Sequence, residues 1–293
     1  MKTNSQTICL HHNDADGRAS AAVVRYALGK DVLLYEMDYG TNRVPWNAIE
    51  AAAKVIMLDF SLPPDDMKQI AACTHFVWID HHISALEQMA GIADKWDGLR
   101  SNDEAACVLT WQYFFPDKAV PRALVLIGDR DIWRWKEKDT GAFNEGLFHL
   151  NTHADNDELW RPLLENDAQK LHEITEKGAC LREARLKQIR RMVSHYGYEV
   201  TFEGFRTLAI NTPGNGDVGQ TIRDLGYEIA YCYIDQMNQG QLYTSVTLFS
   251  AVTDVSKIAR KYGGGGHAGA AGFSFPRANT PFPHNAIIEW FPS

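Results

Sequence analysis

The sequence predicts an α/β protein, with an N-terminal parallel-sheet domain and a smaller C-terminal α/β domain joined by a long helix. Three observations carry this reading. Short apolar strand signals alternate with helix-period segments through residues 7–79, the pattern of a parallel sheet with crossover helices. A charged, helix-permissive stretch then spans residues 165–196. Strand signals dominate from residue 198 onward, up to the run Gly263-Gly264-Gly265-Gly266.

Each element follows from local pattern. Residues 7–10 form a short apolar strand that runs into a polar turn at 11–17. Residues 19–28 are Ala-rich with helical spacing. Residues 32–35 read as a strand and 46–53 as a helix. Lys-Val-Ile-Met-Leu at 54–58 is a strand that ends in Asp59. Pro63 and Pro64 open a helix reaching about Cys73, because proline suits a first helical turn. Phe-Val-Trp-Ile at 76–79 is a strand that ends in Asp80-His81-His82. In the long helix, Leu171, Ile174, Leu181, Leu186, Ile189 and Val193 recur at helical spacing, Gly178 interrupts, and Gly197 is the stop. Strands are then expected at 198–202, 207–211, 229–234 and 242–249, and a helix at 255–262. Residues 276–293 read as loop plus a short helix. The expected domains are 1–165, a linker helix at 166–196, and 197–293.

Composition narrows the class. The chain has 293 residues, 45% hydrophobic and 23% charged, as expected of a globular protein and not of a disordered, collagenous or coiled-coil one. Its net charge is −8, so it is no general coater of duplex DNA, whose backbone attracts Lys and Arg. A bound metal can still supply positive charge for a short or terminal nucleic acid. No segment approaches a membrane span, and the first ten residues lack a signal pattern. The five cysteines are scattered, without a C-x-x-C pair. That fits neither a zinc cluster nor a disulfide framework, and the expected compartment is the reducing cytoplasm.

The chemistry gathers at three strand ends: His12-Asn13-Asp14-Ala15-Asp16-Gly17, Leu58-Asp59 and Ile79-Asp80-His81-His82. In parallel sheets ligands bind at these carboxyl ends. Carboxylates with imidazoles, and no thiolate, suit Mn²⁺ or Mg²⁺ better than structural zinc. Any one Asp after a strand is more often a helix cap, but the seven groups together point to a site large enough for two metals.

These motifs resemble motifs one to three of the DHH phosphoesterase superfamily. That superfamily includes RecJ-type exonucleases, oligoribonucleases, cyclic-dinucleotide phosphodiesterases and manganese pyrophosphatases. The fourth motif, an Asp after an apolar segment, matches Leu124-Val125-Leu126-Ile127-Gly128-Asp129. Asp129 is the choice there, and sequence does not separate it from Asp131. The resemblance implies two Mn²⁺ ions, with Mg²⁺ as the alternative. One would take His12, Asp14 and Asp59, and the other Asp16, Asp59, His81 and Asp129. It implies a catalytic His82 that meets the substrate phosphate and an Asp80 that orients a neighbouring ligand. The motif takes the shorter H-x-D-x-D-G form; the longer family spacing would place its histidine at Leu10.

Near the C-terminus, Gly263-Gly264-Gly265-Gly266-His267-Ala268-Gly269-Ala270-Ala271-Gly272 lets backbone approach a ligand closely. It resembles the glycine-histidine signature of the DHH-associated substrate domain, which separates this chain from the pyrophosphatases. Gly264, Gly265, Gly266 and His267 are therefore expected to bind substrate. Family members often carry an Arg where this chain has Phe249, in Val246-Thr247-Leu248-Phe249-Ser250; a core Phe is the favoured reading. Arg18 and Arg130 are candidate phosphate contacts, and Trp133 and Trp135 are either stacking surfaces or core.

Together these readings give a two-domain hydrolase acting on short RNA or DNA oligonucleotides or small mononucleotide-like phosphoesters. A cyclic-dinucleotide phosphodiesterase and a non-hydrolytic nucleotide sensor are the rivals. No membrane partner is expected, and the oligomeric state is open, a homodimer included.

Overall fold

The computed structural model describes residues 6–39, 43–238 and 240–277. The tail helix expected within 276–293 falls, from residue 278 on, outside the described residues. The chain divides into two compact units, Met1–Arg182 and Glu183–Ser293.

The first unit opens with β1 (Thr7–His12), α1 (Ala15–Leu28), β2 (Leu33–Met37), α2 (Trp46–Ala51), β3 (Lys54–Leu58), α3 (Pro64–Cys73), β4 (His75–Ile79) and α4 (Ile83–Gln88). The strands make one parallel sheet in the order β2-β1-β3-β4. Five helices follow: α5 (Ala106–Phe114), α6 (Arg122–Asp131), α7 (Thr140–Phe148), α8 (Asp157–Leu164) and α9 (Ala168–Tyr196), and the division between units falls inside α9.

Side chains alternate across the sheet, so each face has its own core. Cys9, Ile56, Leu58, Val77 and Ile79 pack with α1, α5, α6 and α7. Ile8, Leu10, Val55, Met57, Phe76 and Trp78 pack with α2, α3 and α4. Register then fixes the site: His11 pairs with Leu58 and Leu58 with Ile79, so the next residues, His12, Asp59 and Asp80, leave the sheet at one level.

Gly178 does not interrupt α9. A Cβ there would lie 1.9 Å from the Ala142 carbonyl and 2.4 Å from Gly146 N, and one on Gly146 would lie 2.1 Å from Ile174 O. The glycine is a crossing point at which α7 and α9 touch backbone to backbone.

The second unit carries β5 (Tyr198–Phe202), β6 (Phe205–Asn211), α10 (Gly216–Asp224), β7 (Ile229–Asn238), β8 (Gln241–Phe249), α11 (Val255–Lys261), β9 (Gly265–His267) and β10 (Ala270–Pro276). Its sheet runs β5-β6-β7-β8-β10-β9, with β6 and β7 parallel and the other pairs antiparallel. One face packs on α11; the other packs on α10 and on Ile189 and Val193 of α9. Phe249 belongs to this second core and is 7% exposed. A Cβ on Gly219 would meet its ring at 2.6 Å, so Phe249 is a packing residue and not a stacking surface. Among the described residues, no helix is long and apolar enough to cross a membrane.

Candidate metal centre

The centre is built at the carboxyl ends of β1, β3 and β4. Asp14 caps α1, with Oδ1 accepting from Gly17 N at 2.9 Å. Its Oδ2 lies 3.0 Å from His12 Nδ1, so Asp14 both caps the helix and faces His12. Gly17 must be glycine, because a Cβ there would sit 2.4 Å from the His12 carbonyl. The next acidic residue, Asp16, is buried and accepts from the first amides of α5, Ala106 N and Cys107 N, each at 2.8 Å. Those amides orient the carboxylate toward His81 Nε2, 3.6 Å away.

Asp59 stands at the middle. It is 1% exposed and its backbone takes the left-handed conformation, φ +55°. Such a φ is strained for a side-chain-bearing residue, though Asp tolerates it better than most. Asp59 Oδ1 accepts from His81 Nε2 at 3.1 Å, and Oδ2 lies 3.8 Å from His12 Nδ1. The His12 ring lies over Phe60 and Tyr39, with centroids 6.3 and 5.6 Å away.

Asp80 shapes the turn that follows β4. Fully buried, it accepts through Oδ1 from His81 N (2.7 Å), His82 N (3.1 Å) and His82 Nδ1 (2.7 Å). It is a positioning residue, which places His82 with Nε2 turned away from the bond. Through these contacts Asp80 holds the turn and the His82 ring.

The fourth aspartate needs correction. Asp129 is not in the cluster. Its carboxylate accepts from Lys136 N (2.9 Å), Glu137 N (3.1 Å) and the Thr140 hydroxyl, and so staples the loop after α6. Asp131 takes the place instead, with Oδ2 3.2 Å from His81 Nε2. Residues two apart on a helix point to different sides, so only one of the two could face the centre. Arg18 is likewise committed elsewhere: it forms a two-pronged pair with Glu36, at 2.7 and 2.9 Å, and donates to Thr152 Oγ1 at 3.0 Å. Arg130 is exposed on α6.

Among the described residues, three groupings could hold a metal: His12, Asp14 and Asp59; Asp16, His81 and Asp131; and Asp59, His81 and His82. The electrostatics agree. Burial, and then neighbouring acids, push the Asp16 and Asp131 carboxyls up to about 7, and burial pushes Asp59 up as well. His12 is raised to about 10 by Asp14 and then Asp59, and His82 to about 9 by Asp80. Burial alone would raise Asp14, but the His12 and Gly17 bonds reverse this and hold it at about 2. At the centre, three buried polar atoms make no hydrogen bond: His12 Nδ1, which has its ion pair with Asp14, together with Asp59 Oδ2 and Asp80 Oδ2. Leaving such atoms bare is costly. His12 Nδ1 and Asp59 Oδ2 lie inside one metal-ready grouping, so the chemistry fits a divalent cation.

The sequence expected Gly264–His267 to be a ligand-cradling loop. It is mostly the edge strand β9, and its glycines answer first to β10. A Cβ on Gly264 would meet the Gly272 carbonyl at 2.1 Å, and one on Gly266 the Ala271 Cα at 2.6 Å. Gly265 has open space, and His267 is exposed. Sequence reasoning missed Tyr39 and Phe60 beside His12. Tyr39 lies two residues beyond β2, where no motif signals it; Phe60 directly follows Asp59 and was readable by adjacency.

The chain has the DHH-domain fold. It superposes on the DHH domain of a member of a ribosomal protein family with a TM-score of 0.60 at 14% identity, covering 92% of this chain and 82% of the other. It superposes on the pGpG-specific phosphodiesterase PggH from Vibrio cholerae with a TM-score of 0.54, also at 14% identity, covering 94% of each. In sequence it is 24% identical to the oligoribonuclease NrnB of Bacillus subtilis (strain 168), over 90% of this chain and 71% of that protein. It is 27% identical to an uncharacterised protein of Acanthamoeba polyphaga mimivirus, over 98% of this chain and 72% of that one. No family model matches the chain.

Proposed function

We propose that this chain is a DHH-type phosphoesterase, a metal-dependent hydrolase of short oligonucleotides or small phosphorylated nucleotides. The observation that carries the proposal is the buried Asp59 Oδ2, which accepts no hydrogen bond, within a cluster of imidazoles and carboxylates. Two Mn²⁺ ions are the proposed cofactor: one on His12, Asp14 and Asp59, the other on Asp16, Asp59, His81 and Asp131. When bound, such a pair supplies water activation and neutralises charge on the phosphoryl oxygens. The chain's own groups do the rest. Amides at the start of α5 hold Asp16 in place. Asp80 fixes the His82 ring and keeps it protonated near neutral pH, so Nε2–H can donate to a substrate phosphate. In the second unit, Gly265 and His267 on the open face of β9 are the proposed substrate contacts. The likeness to PggH and NrnB favours linear nucleotides of a few residues, and a cytoplasmic setting suits that substrate.

The test is product analysis with Mn²⁺. End-labelled RNA and DNA of two to twenty nucleotides, cyclic dinucleotides and pyrophosphate would be offered to wild type and Asp59→Ala. Mononucleotide release that vanishes in Asp59→Ala is the expected result. Tight nucleotide binding without turnover of any substrate would overturn the hydrolase and leave a sensor.

A further inference from the structure

Two tryptophans stand beside the centre with their rings outside the core. Trp133 is 62% exposed and Trp135 39%, whereas Trp78, Trp111 and Trp160 are all buried. An indole carries one of the largest apolar surfaces of any side chain, and leaving two in water forgoes much burial. Both also take the left-handed backbone, φ +59° and +53°. For bulky residues that conformation is a true outlier, and such strain gathers at ligand clamps.

The loop that holds them is nevertheless ordered. Every backbone amide from Ile132 to Glu137 has an acceptor. Ile132 donates to Gly128 O (3.1 Å), Trp133 to Arg130 O (3.1 Å), and Arg134 and Trp135 to Asp129 O (2.9 and 3.2 Å). Lys136 and Glu137 donate to the Asp129 carboxylate. Arg134 pairs with Glu104 at 3.1 Å. The two rings meet edge to face, with centroids 5.2 Å apart and planes at 87°. Loop and rings are thus pre-organised without burial.

Position supplies the ligand. Asp131, whose carboxylate lies 3.2 Å from His81, precedes Trp133 by two residues. Two residues span at most ~7 Å of chain, so Trp133 springs from the rim of the metal centre. A flat, uncharged aromatic surface next to a phosphate-handling site matches a nucleobase, since every base offers a π face. It also lets a chain of net charge −8 hold a nucleotide without a cationic groove.

We propose that Trp133, held edge to face by Trp135, forms a stacking platform for the substrate's nucleobase beside the scissile phosphate. This inference rests on the phosphoesterase reading and sharpens it: the substrate class is a base-bearing phosphodiester, and neither pyrophosphate nor polyphosphate. The platform reads no sequence, because stacking accepts any base.

The test uses the full chain with Mn²⁺, as wild type, Trp133→Gly and Trp133→Phe. Glycine accepts the left-handed backbone, so the loop survives loss of the ring. The substrates are a 5′-phosphorylated diadenosine dinucleotide and the same dinucleotide with one base removed. Trp133→Gly should lower the kcat/KM ratio of the full to the abasic substrate by about 5- to 150-fold, the range of one base stack, and Trp133→Phe should restore most of it. A ratio unchanged in Trp133→Gly would overturn the platform while leaving the hydrolase standing. A second readout needs no turnover: a phosphorothioate dinucleotide should quench tryptophan fluorescence in wild type more than in Trp133→Gly. Quenching that depends on Trp133, with no hydrolysis of any substrate, would keep the platform and overturn the phosphoesterase reading. Equal quenching in both proteins would overturn the platform.

Discussion

At the strand ends of the first sheet, a buried carboxylate oxygen lacks a hydrogen bond; along β9 of the second sheet, the residues are exposed. The two motifs look equally functional as strings of residues, yet their physical states differ. Asp59 Oδ2 is buried and accepts no hydrogen bond, which is unfavourable unless something binds. Gly264 and Gly266 are glycine because β10 leaves no room for a Cβ, so the fold explains them with no ligand invoked. Only Gly265 and His267 are left as proposed substrate contacts. The first region points to its ligand through an unmet energetic demand, whereas the second offers only an open face.

The largest test of this contrast is Asp59→Asn. Activity should fall by about 10³-fold, equivalent to about 4 kcal/mol of transition-state stabilisation. In EDTA the same variant should melt no lower than wild type, because it removes a carboxylate that burial disfavours. Product release and thermal melts with and without EDTA check both halves. A marked drop in Tm in EDTA would show that Asp59 is structural and break the comparison.

Asp131 and Asp129 sharpen it next. Asp131→Asn should weaken metal binding and activity by at least about 10-fold, the lower end of what even outer-sphere changes cost. Asp129→Asn should keep metal stoichiometry but lose about 1–3 kcal/mol of stability, since three donors then face a neutral group. Metal titration and denaturant melts of both variants separate the roles. Metal loss in Asp129→Asn with an unchanged melt would reverse the assignment.

Much of the first sheet was legible because short, continuous apolar strands, buried on both faces, end abruptly in polar residues, and a parallel sheet aligns those ends. Strand spans matched within a residue or two at β3 and β4. The helices from α5 to α8 were not legible as elements. Ala106–Phe114 is apolar on most sides, so it shows no amphipathic period, and α7 carries glycines that serve the α9 crossing. The Asp129–Asp131 ambiguity has the same origin: sequence gives the spacing, but only packing tells which side of α6 faces the centre. Gly178 looked like a break because a glycine's contact partner is invisible in sequence.

Protons offer a finer test. The Asp16 and Asp131 carboxyls sit at about 7 in the folded chain, well above their unfolded range. A folded state that binds more protons than the unfolded one loses stability as pH rises. The metal-free protein should therefore become less stable from about pH 4 to 7 on account of these groups. His12 and His82, raised to about 10 and 9, extend that fall toward alkaline pH. A metal competes for the same sites, so its affinity should rise with pH, by up to roughly tenfold per unit for each proton released. Calorimetric titration of Mn²⁺ at pH 6, 7 and 8, in buffers of different ionisation heat, counts those protons. Affinity independent of pH over that range would mean that the clustered carboxyls are not the ligands.

The smallest effects belong to β9, and there the comparison is most exposed. Gly264→Ala should destabilise the second unit by about 1–3 kcal/mol, because its Cβ would strike the Gly272 carbonyl and Phe273. Gly265→Ala and His267→Ala should each stay within about 0.5 kcal/mol of wild type, as changes at exposed surface positions do. If the open face of β9 contacts substrate, these two silent substitutions should nonetheless raise KM, while metal affinity stays at the wild-type value. Stability, KM and Mn²⁺ binding measured on all three variants resolve the strand residue by residue. Unchanged KM in both Gly265→Ala and His267→Ala would make β9 an edge strand and nothing more, and would leave recognition to the first unit, where Trp133 and Trp135 stand beside Asp131.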